Sequence, residues 1–193
     1  MKYLKLFENF NEPDIEDAKW IIIRYLGEVE NIEIDPKYNT KNLSIFEISE
    51  ELSEEQINRC KEHLKEEGFF LSEPGMIDQD DDKFIVGIGN SVKEYCINWL
   101  NDNFSNMEAV NSKNFPGTVL YRYEPKDNVL LHDKTNNKVY VNYRKIWAFL
   151  ERYFDLDDQE IQELTEEWLK DTYNLNVPTT RFGSYYERFE KSE

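Results

Sequence analysis

The chain has 193 residues, of which 40 are acidic and 23 are basic, so its formal net charge is −17 at pH 7. A surface of that sign repels phosphate backbones, which argues against direct nucleic-acid binding and favours basic protein partners. Aromatic residues make up 15% of the chain, enough to build a core despite the 33% of charged residues, so the composition predicts a globular fold rather than disorder.

Cysteine content and hydropathy indicate the cellular compartment of the protein. Cys60 and Cys96 are the only cysteines, which rules out a disulfide framework and suits a reducing cytosol. The longest apolar run is the four residues 20–23, far short of a membrane span. The N-terminus has no apolar centre of the kind that signal peptides carry. We therefore expect a cytoplasmic protein that has no membrane partner.

The first half of the chain alternates helical patterns with pairs of short strand patterns. Ser53 and Gln56 form the signature of a capping box at the start of the second helix. The apolar spacing predicts helices at residues 13–26, 53–68 and 92–100, and strands at 32–34, 43–45, 69–71 and 84–88. Because the strands come in pairs, this order predicts an α+β fold in which an antiparallel sheet has helices packed on one face.

The second half predicts a separate module of a hairpin and two helices. Residues 105–117 are polar and contain Pro116-Gly117, so they mark a boundary between an α+β domain (1–110) and a module (118–193). A strand begins at Val119, and apolar alternation on both sides of residues 135–137 predicts a hairpin. Two helices follow, the second from about Asp158 to Tyr173. Beyond Pro178, aromatic residues at helical spacing predict a further amphipathic segment.

A transition-metal site is the first chemical hypothesis that the sequence offers. Cys60 and His63 lie one helical turn apart, and Cys96 and His132 could complete a set of four ligands. Zinc sites usually show paired ligands at two places, which this chain lacks. We therefore expect Cys60 to pack in the core with His63 at its edge, and we predict neither a metal site nor a bound cofactor.

Two loops resemble ligand-binding motifs in part. Asp78-x-Asp80-x-Asp82 begins like a calcium loop, but Lys83 stands at position six and Gly89 at position twelve, where calcium loops have glycine and a bidentate glutamate. Gly87-x-Gly89 precedes a helix but has no third glycine and no following Lys-Ser/Thr pair. A solvated acidic turn and an ordinary strand-to-helix turn are the favoured interpretations, and we predict no catalytic residue.

Two surfaces are predicted to bind other proteins. The first is the acidic side of the helix that begins near Asp158, formed by Asp157, Asp158, Glu160, Glu163, Glu166 and Glu167. The second is the aromatic tail, with Phe182, Tyr185, Tyr186 and Phe189 as the anchors of a docking helix. The expected partner is a basic protein, and self-association into a homo-oligomer remains an alternative.

Two segments resemble proteins of large tailed bacteriophages. The opening Met-Lys-Tyr-Leu-Lys-Leu-Phe-Glu-Asn-Phe is similar to a short leader on many of their uncharacterised proteins, and Leu6-Phe7-Glu8 resembles the triplet at which a prohead protease cuts. Residues 139–175 resemble a C-terminal segment that recurs on phage proteins of unknown role. The resemblance implies phage origin and brings neither a catalytic residue nor a mechanism. Together with the acidic surface, it favours a non-enzymatic accessory protein in the host cytoplasm that binds, and in the most specific version inhibits, a basic host protein. The alternatives are a protein packaged in the virion head and a metal-dependent enzyme that uses residues 78–82 or Cys60 and His63.

Overall fold

The structure is a computed structural model that describes residues 13–34, 36–38, 40–48, 52–72, 83–125, 127–154 and 156–182, including only the backbone of Phe182. The described residues fall into two compact units. The first runs from residue 13 to residue 92 without residues 36–38, and the second comprises residues 36–38 and the chain from residue 93 onward.

The first unit is a four-stranded sheet with two helices. Its elements are α1 (Ile15–Leu26), β1 (Val29–Ile32), β2 (Leu43–Ile48), α2 (Glu54–Glu66), β3 (Phe69–Ser72) and β4 (Lys83–Ile88). The strand order is β1-β2-β4-β3, and every neighbouring pair is antiparallel. Both hydrogen bonds of the capping box between Ser53 and Gln56 are present, so α2 begins where the local sequence predicts.

A single apolar cluster holds the two helices to one face of this sheet. Phe46 of β2 and Phe84 of β4 are register partners, so their side chains lie on the same face. The helices and strands meet there through Ala18, Ile22, Leu26, Cys60, Leu64, Phe46, Ile48, Phe69, Phe84 and Val86, each at most 2% exposed. Positions 18, 22 and 26 are spaced one turn apart, which is why α1 presents a continuous apolar stripe to the sheet.

The second unit is a five-stranded sheet with three helices. Its elements are α3 (Val92–Phe104, all but its first residue), β5 (Glu108–Asn111), β6 (Thr118–Arg122), β7 (Asn128–Asp133), β8 (Lys138–Asn142), α4 (Ala148–Phe154), α5 (Asp158–Tyr173) and β9 (Thr179–Phe182). A π-helical turn, Tyr143–Trp147, leads into α4. The strands follow the order β5-β6-β7-β8-β9, antiparallel except for the parallel pair of β8 and β9.

Aromatic packing joins the helices of the second unit. Trp99 of α3 stacks on Phe149 of α4, with ring centroids 4.1 Å apart and planes 23° apart. Phe104 of α3 meets Trp168 of α5 edge to face, at 6.4 Å and 70°. Such aromatic pairs contribute about 0.5–1.5 kcal/mol each beyond their buried area. These contacts place α3 in the second unit, so the division precedes Lys93, whereas the sequence placed it between residues 110 and 118.

The α+β class and the antiparallel sheets agree with the sequence prediction, but two segments differ from it. Residues 108–111, expected to be part of a polar loop, form β5 and pair with β6. Residues 179–182, expected to begin an amphipathic helix, form β9. In both cases hydrogen bonds to a neighbouring strand fix a short segment that has too few residues to show its own periodicity.

No helix in the described part of the chain combines the length and the apolar character needed to cross a bilayer.

Candidate functional site

Helix α5 is the element that carries the predicted acidic surface. Its buried side forms because Ile161, Leu164, Trp168 and Leu169 recur at helical spacing. It ends at Asn174, whose left-handed backbone (φ 53°) is a common helix C-cap. The acidic residues therefore occupy the remaining faces of the helix, as the sequence predicts. In the structure, however, they differ in the contacts that they make.

Asp157 and Glu160 cap the start of α5. The Asp157 carboxylate accepts hydrogen bonds from the backbone N–H groups of Gln159 and Glu160, both at 2.8 Å. In return, the Glu160 carboxylate accepts the Asp157 N–H at 3.0 Å. This reciprocal arrangement satisfies backbone donors that have no partner within the helix and typically contributes about 1 kcal/mol. Both carboxylates are exposed, yet helix capping explains their presence.

Asp158 connects α5 to two other elements of the same unit. Its Oδ1 accepts a hydrogen bond from the indole N–H of Trp147 at 3.1 Å. The same oxygen lies 3.3 Å from the Arg181 guanidinium of β9. Trp147 is 2% exposed, so its N–H needs a protein acceptor. Asp158 therefore holds Trp147 and Arg181 in place within the second unit, and this structural role comes ahead of any contact with a partner.

Glu166 holds β9 against the helix. Its half-buried Oε1 accepts the backbone N–H of Thr179 and the side-chain amide N–H of Gln162, each at 2.8 Å. Next to it, the hydroxyls of Thr165 and Thr179 are 3.0 Å apart, and both threonines are buried. Glu166 thus serves the packing of the second unit and is not part of an open acidic face.

Three carboxylates remain on the outer side of α5, and we call Glu163, Glu167 and Asp171 the outer acidic row. They are exposed and spaced four residues apart, so they line one side of the helix. Glu163 accepts a hydrogen bond from the Gln159 amide at 2.9 Å, and Glu167 lies 2.6 Å from the Lys93 ammonium. Like charges at this spacing repel one another by a few tenths of a kcal/mol, which a bound cation would relieve.

The outer acidic row also includes Asp171, which is not among the six residues of the predicted acidic surface. Asp171 ends the line begun by Glu163 and Glu167, and counting in fours along the helix would have found it. The predicted set of six therefore divides into two capping residues (Asp157 and Glu160), two that contact other elements (Asp158 and Glu166) and two that belong to the outer acidic row (Glu163 and Glu167).

The aromatic tail is only partly within the described residues. Phe182 is the last residue of β9, where its backbone pairs with Asn142. Tyr185, Tyr186 and Phe189 lie outside the described residues, as do residues 1–12 and the acidic loop at 78–82. The expectation of a helical docking segment therefore stays a prediction for residues 183–193.

The cysteines and His63, which the sequence offers as candidate metal ligands, are part of the packing of the fold. Burial raises the pKa of the Cys60 thiol to about 12, and it also raises the pKa of the Cys96 thiol. Such thiols stay protonated at neutral pH and pack as small apolar side chains. His63 packs against the Tyr25 ring, with centroids 5.5 Å apart, and its Nδ1 is 3.4 Å from a Glu66 carboxylate oxygen.

Gly87 of the Gly87-x-Gly89 pattern also has a packing explanation. A Cβ at this position would lie 2.4 Å from a ring carbon of Phe70 on the neighbouring strand, a distance that real side chains do not reach. The glycine is therefore needed for the close approach of an aromatic ring.

His132 provides a pH-dependent test of the second unit. It is 8% exposed in β7, and burial, assisted by Lys134, lowers its pKa from 6.5. The unfolded chain then binds a proton more readily than the folded chain, so stability falls as the pH drops through 6.5 toward the lower folded value. We expect the unfolding free energy of His132→Gln to fall less between pH 7 and pH 5 than that of the wild type does. Chemical denaturation of both proteins at each pH measures the difference. Parallel pH curves for the two proteins would contradict this assignment.

The described residues contain no group of three or more histidine, cysteine, aspartate or glutamate side chains placed to hold a metal ion. Comparison of this chain with protein-family models, with curated proteins and with solved structures finds no match.

Proposed function

We propose that this protein acts by binding a basic protein partner through the outer acidic row of α5. The observation that carries the proposal is the outer acidic row, in which three exposed carboxylates lie in line on a helix whose other acidic residues are engaged in the fold. The two lysines on or next to the row, Lys93 and Lys170, leave it with a net negative charge.

The charge of the whole chain supports the same proposal. A net charge of −17 steers a basic surface toward the protein and speeds association at low salt. The Lys93–Glu167 pair has side chains that are 61% and 44% exposed, and a pair of this kind contributes at most about 1 kcal/mol. Lys93 can therefore be displaced by a cation from the partner.

The resemblance of residues 1–10 and 139–175 to phage proteins suggests the setting of this interaction. We propose a non-enzymatic phage accessory protein that occupies a basic face of a host protein. The most specific form of this proposal is inhibition of a nuclease of a host defence system, because a nuclease must present cationic side chains to its nucleic acid. A row of carboxylates on a helix could then compete with the phosphates for that surface.

The test is a variant that removes the outer acidic row and preserves the helix. In Glu163→Gln/Glu167→Gln/Asp171→Asn the capping pair and Glu166 are untouched, so we expect the melting temperature to stay near that of the wild type. Partner capture from an extract of the bacterial host should weaken about tenfold, because three exposed charge pairs contribute roughly 0.5 kcal/mol each. Capture by wild-type protein should also fall steeply as salt rises to the physiological level.

A matched control removes the same number of charges elsewhere. Glu30, Glu47 and Glu62 are exposed carboxylates of the first unit, and Glu30 faces Glu47 across β1 and β2. Their replacement by Gln changes the net charge equally and relieves one like-charge pair. We expect this control to capture the same proteins as the wild type. If both variants lose partner capture to the same extent, the effect of charge is general. If both variants capture the partner as well as the wild type does, the outer acidic row is not part of the interface.

A further inference from the structure

Trp20 is a large apolar side chain exposed on the surface of the first unit. It is 71% exposed, whereas the other three tryptophans of the chain, Trp99, Trp147 and Trp168, are at most 4% exposed. It lies about 200° around α1 from the buried position 18, since each residue of a helix turns about 100°. Trp20 therefore contributes nothing to the stripe that holds α1 to its sheet, and tryptophan is the residue most enriched among binding hot spots.

The side chains around Trp20 define what it can bind. Glu16 and Asp17 precede it by four and three residues, so their exposed carboxylates lie on the same side of α1. Neither carboxylate is paired with a lysine or arginine in the part of the chain that the structure describes. Arg24, one turn further on, has its guanidinium over the ring of its own neighbour Tyr25, 5.8 Å from the ring centre. The face thus offers an open indole beside two open carboxylates.

An indole beside carboxylates matches the chemistry of arginine. The guanidinium is planar, so one face can stack on Trp20 while its N–H groups donate to a carboxylate. A lysine ammonium can make only the charge interaction and a weaker contact with the ring. A second copy of this chain is a poor occupant, because two molecules that each carry a charge of −17 repel one another.

We propose that the face formed by Glu16, Asp17 and Trp20 is a docking site for an arginine in a basic segment of a partner protein. This site is independent of the outer acidic row, because it lies on α1 of the first unit and is built from a different kind of side chain. It extends the proposed function by adding a preference for arginine over lysine, which a row of carboxylates alone would not supply.

The test uses short arginine and lysine peptides of equal length as probes, with tryptophan fluorescence as the readout. Since Trp20 is the one exposed tryptophan among the four, acrylamide should quench its emission selectively, and Trp20→Phe should remove most of the quenchable signal. Saturating arginine peptide should protect Trp20 from acrylamide. We expect the arginine peptide to bind about threefold more tightly than the lysine peptide, the ratio that corresponds to an exposed cation–π contact.

Variants separate the site from the outer acidic row. Trp20→Ala should lose the preference for arginine, and Glu16→Gln/Asp17→Asn should weaken both peptides severalfold. The outer-row variant should keep both the preference and the protection of Trp20, so this site and the proposed function can fail separately. An unchanged preference in Trp20→Ala, or full acrylamide access to Trp20 at saturating arginine peptide, would overturn the proposal. Because Trp20 is exposed, its replacement should leave the melting temperature unchanged.

Discussion

Deleting residues 179–193 is expected to unfold or strongly destabilise the second unit, whereas deleting residues 183–193 leaves β9 in place. The longer deletion removes the whole of β9, which pairs in parallel with β8 from Val139 to Asn142. It also removes the buried Thr179, whose N–H is bound by Glu166 and whose hydroxyl meets Thr165. The half-buried Glu166 and the buried Thr165 would each lose one hydrogen bond.

The expected size of this effect follows from the bonds that are lost. Several hydrogen bonds at about 1 kcal/mol each, together with the exposure of one side of β8, give a loss of about 3–5 kcal/mol, a large part of the stability of an ordinary domain. Thermal melting of the two truncated chains and the full chain measures it. From the sequence, the hypothesis of a docking tail predicts that removing residues 179–193 lowers partner binding or self-association more than it lowers the melting temperature. The pairing of β9 with β8 is the reason to expect the opposite.

The shorter deletion is the matched control, and it also tests the tail as a docking segment. A chain ending at Phe182 should melt near the full chain. If it also binds the partner less well, residues 183–193 contribute to docking with no role in stability. Two truncated chains with the same melting temperature as the full chain would show that β9 contributes little to the fold, contrary to its pairing with β8 and its contact with Glu166.

Gly87→Ala is the second substitution with a large expected effect. The added methyl group would lie 2.4 and 2.5 Å from two ring carbons of Phe70 and 3.2 Å from a methyl carbon of Leu43. Phe70 is 7% exposed and Leu43 is 4% exposed, so neither side chain can move freely into solvent. Overpacking of this kind costs about 1–3 kcal/mol, and we expect a loss of that size in the unfolding free energy from denaturant titration.

A double-mutant cycle identifies the ring as the cause. Phe70→Leu alone should destabilise the first unit, because it removes buried aromatic carbon. In the presence of Phe70→Leu, however, Gly87→Ala should cost much less than it does in the wild type, because the clashing ring carbons are gone. Additive effects in the double variant would show that the cost of Gly87→Ala arises from the backbone rather than from contact with Phe70.

The sequence by itself determined the features that depend on neighbours a few residues apart. The capping box of Ser53 and Gln56 and the extent of α5 from Asp158 to Tyr173 are fixed by side chains within one or two turns. The same holds for the buried stripe of α1 and for the hairpin of β7 and β8. The strand pairs likewise favoured antiparallel sheets, and the structure has them.

Only the tertiary structure decided which acidic residues of α5 are engaged in the fold. Helical spacing shows that Asp158, Glu163 and Glu166 lie outside the apolar stripe, but it cannot show that Glu166 meets Thr179, thirteen residues later. Nor can it show that Asp158 accepts the indole N–H of Trp147. These partners are set by chain segments that approach from another element, so the acidic surface predicted from the sequence is larger than the row that the structure leaves open.

The short strands and the exposed tryptophan were decided in the same way. β5 and β9 have four residues each, too few for a periodic pattern, and they exist because β6 and β8 offer free backbone groups beside them. Trp20 belongs to the apolar run 20–23, which in sequence favours burial, yet the rotation of α1 turns it to the opposite side from Ala18. The stripe that packs on the sheet determines which side of a helix is covered, and a lone side chain outside it stays in water however apolar it is.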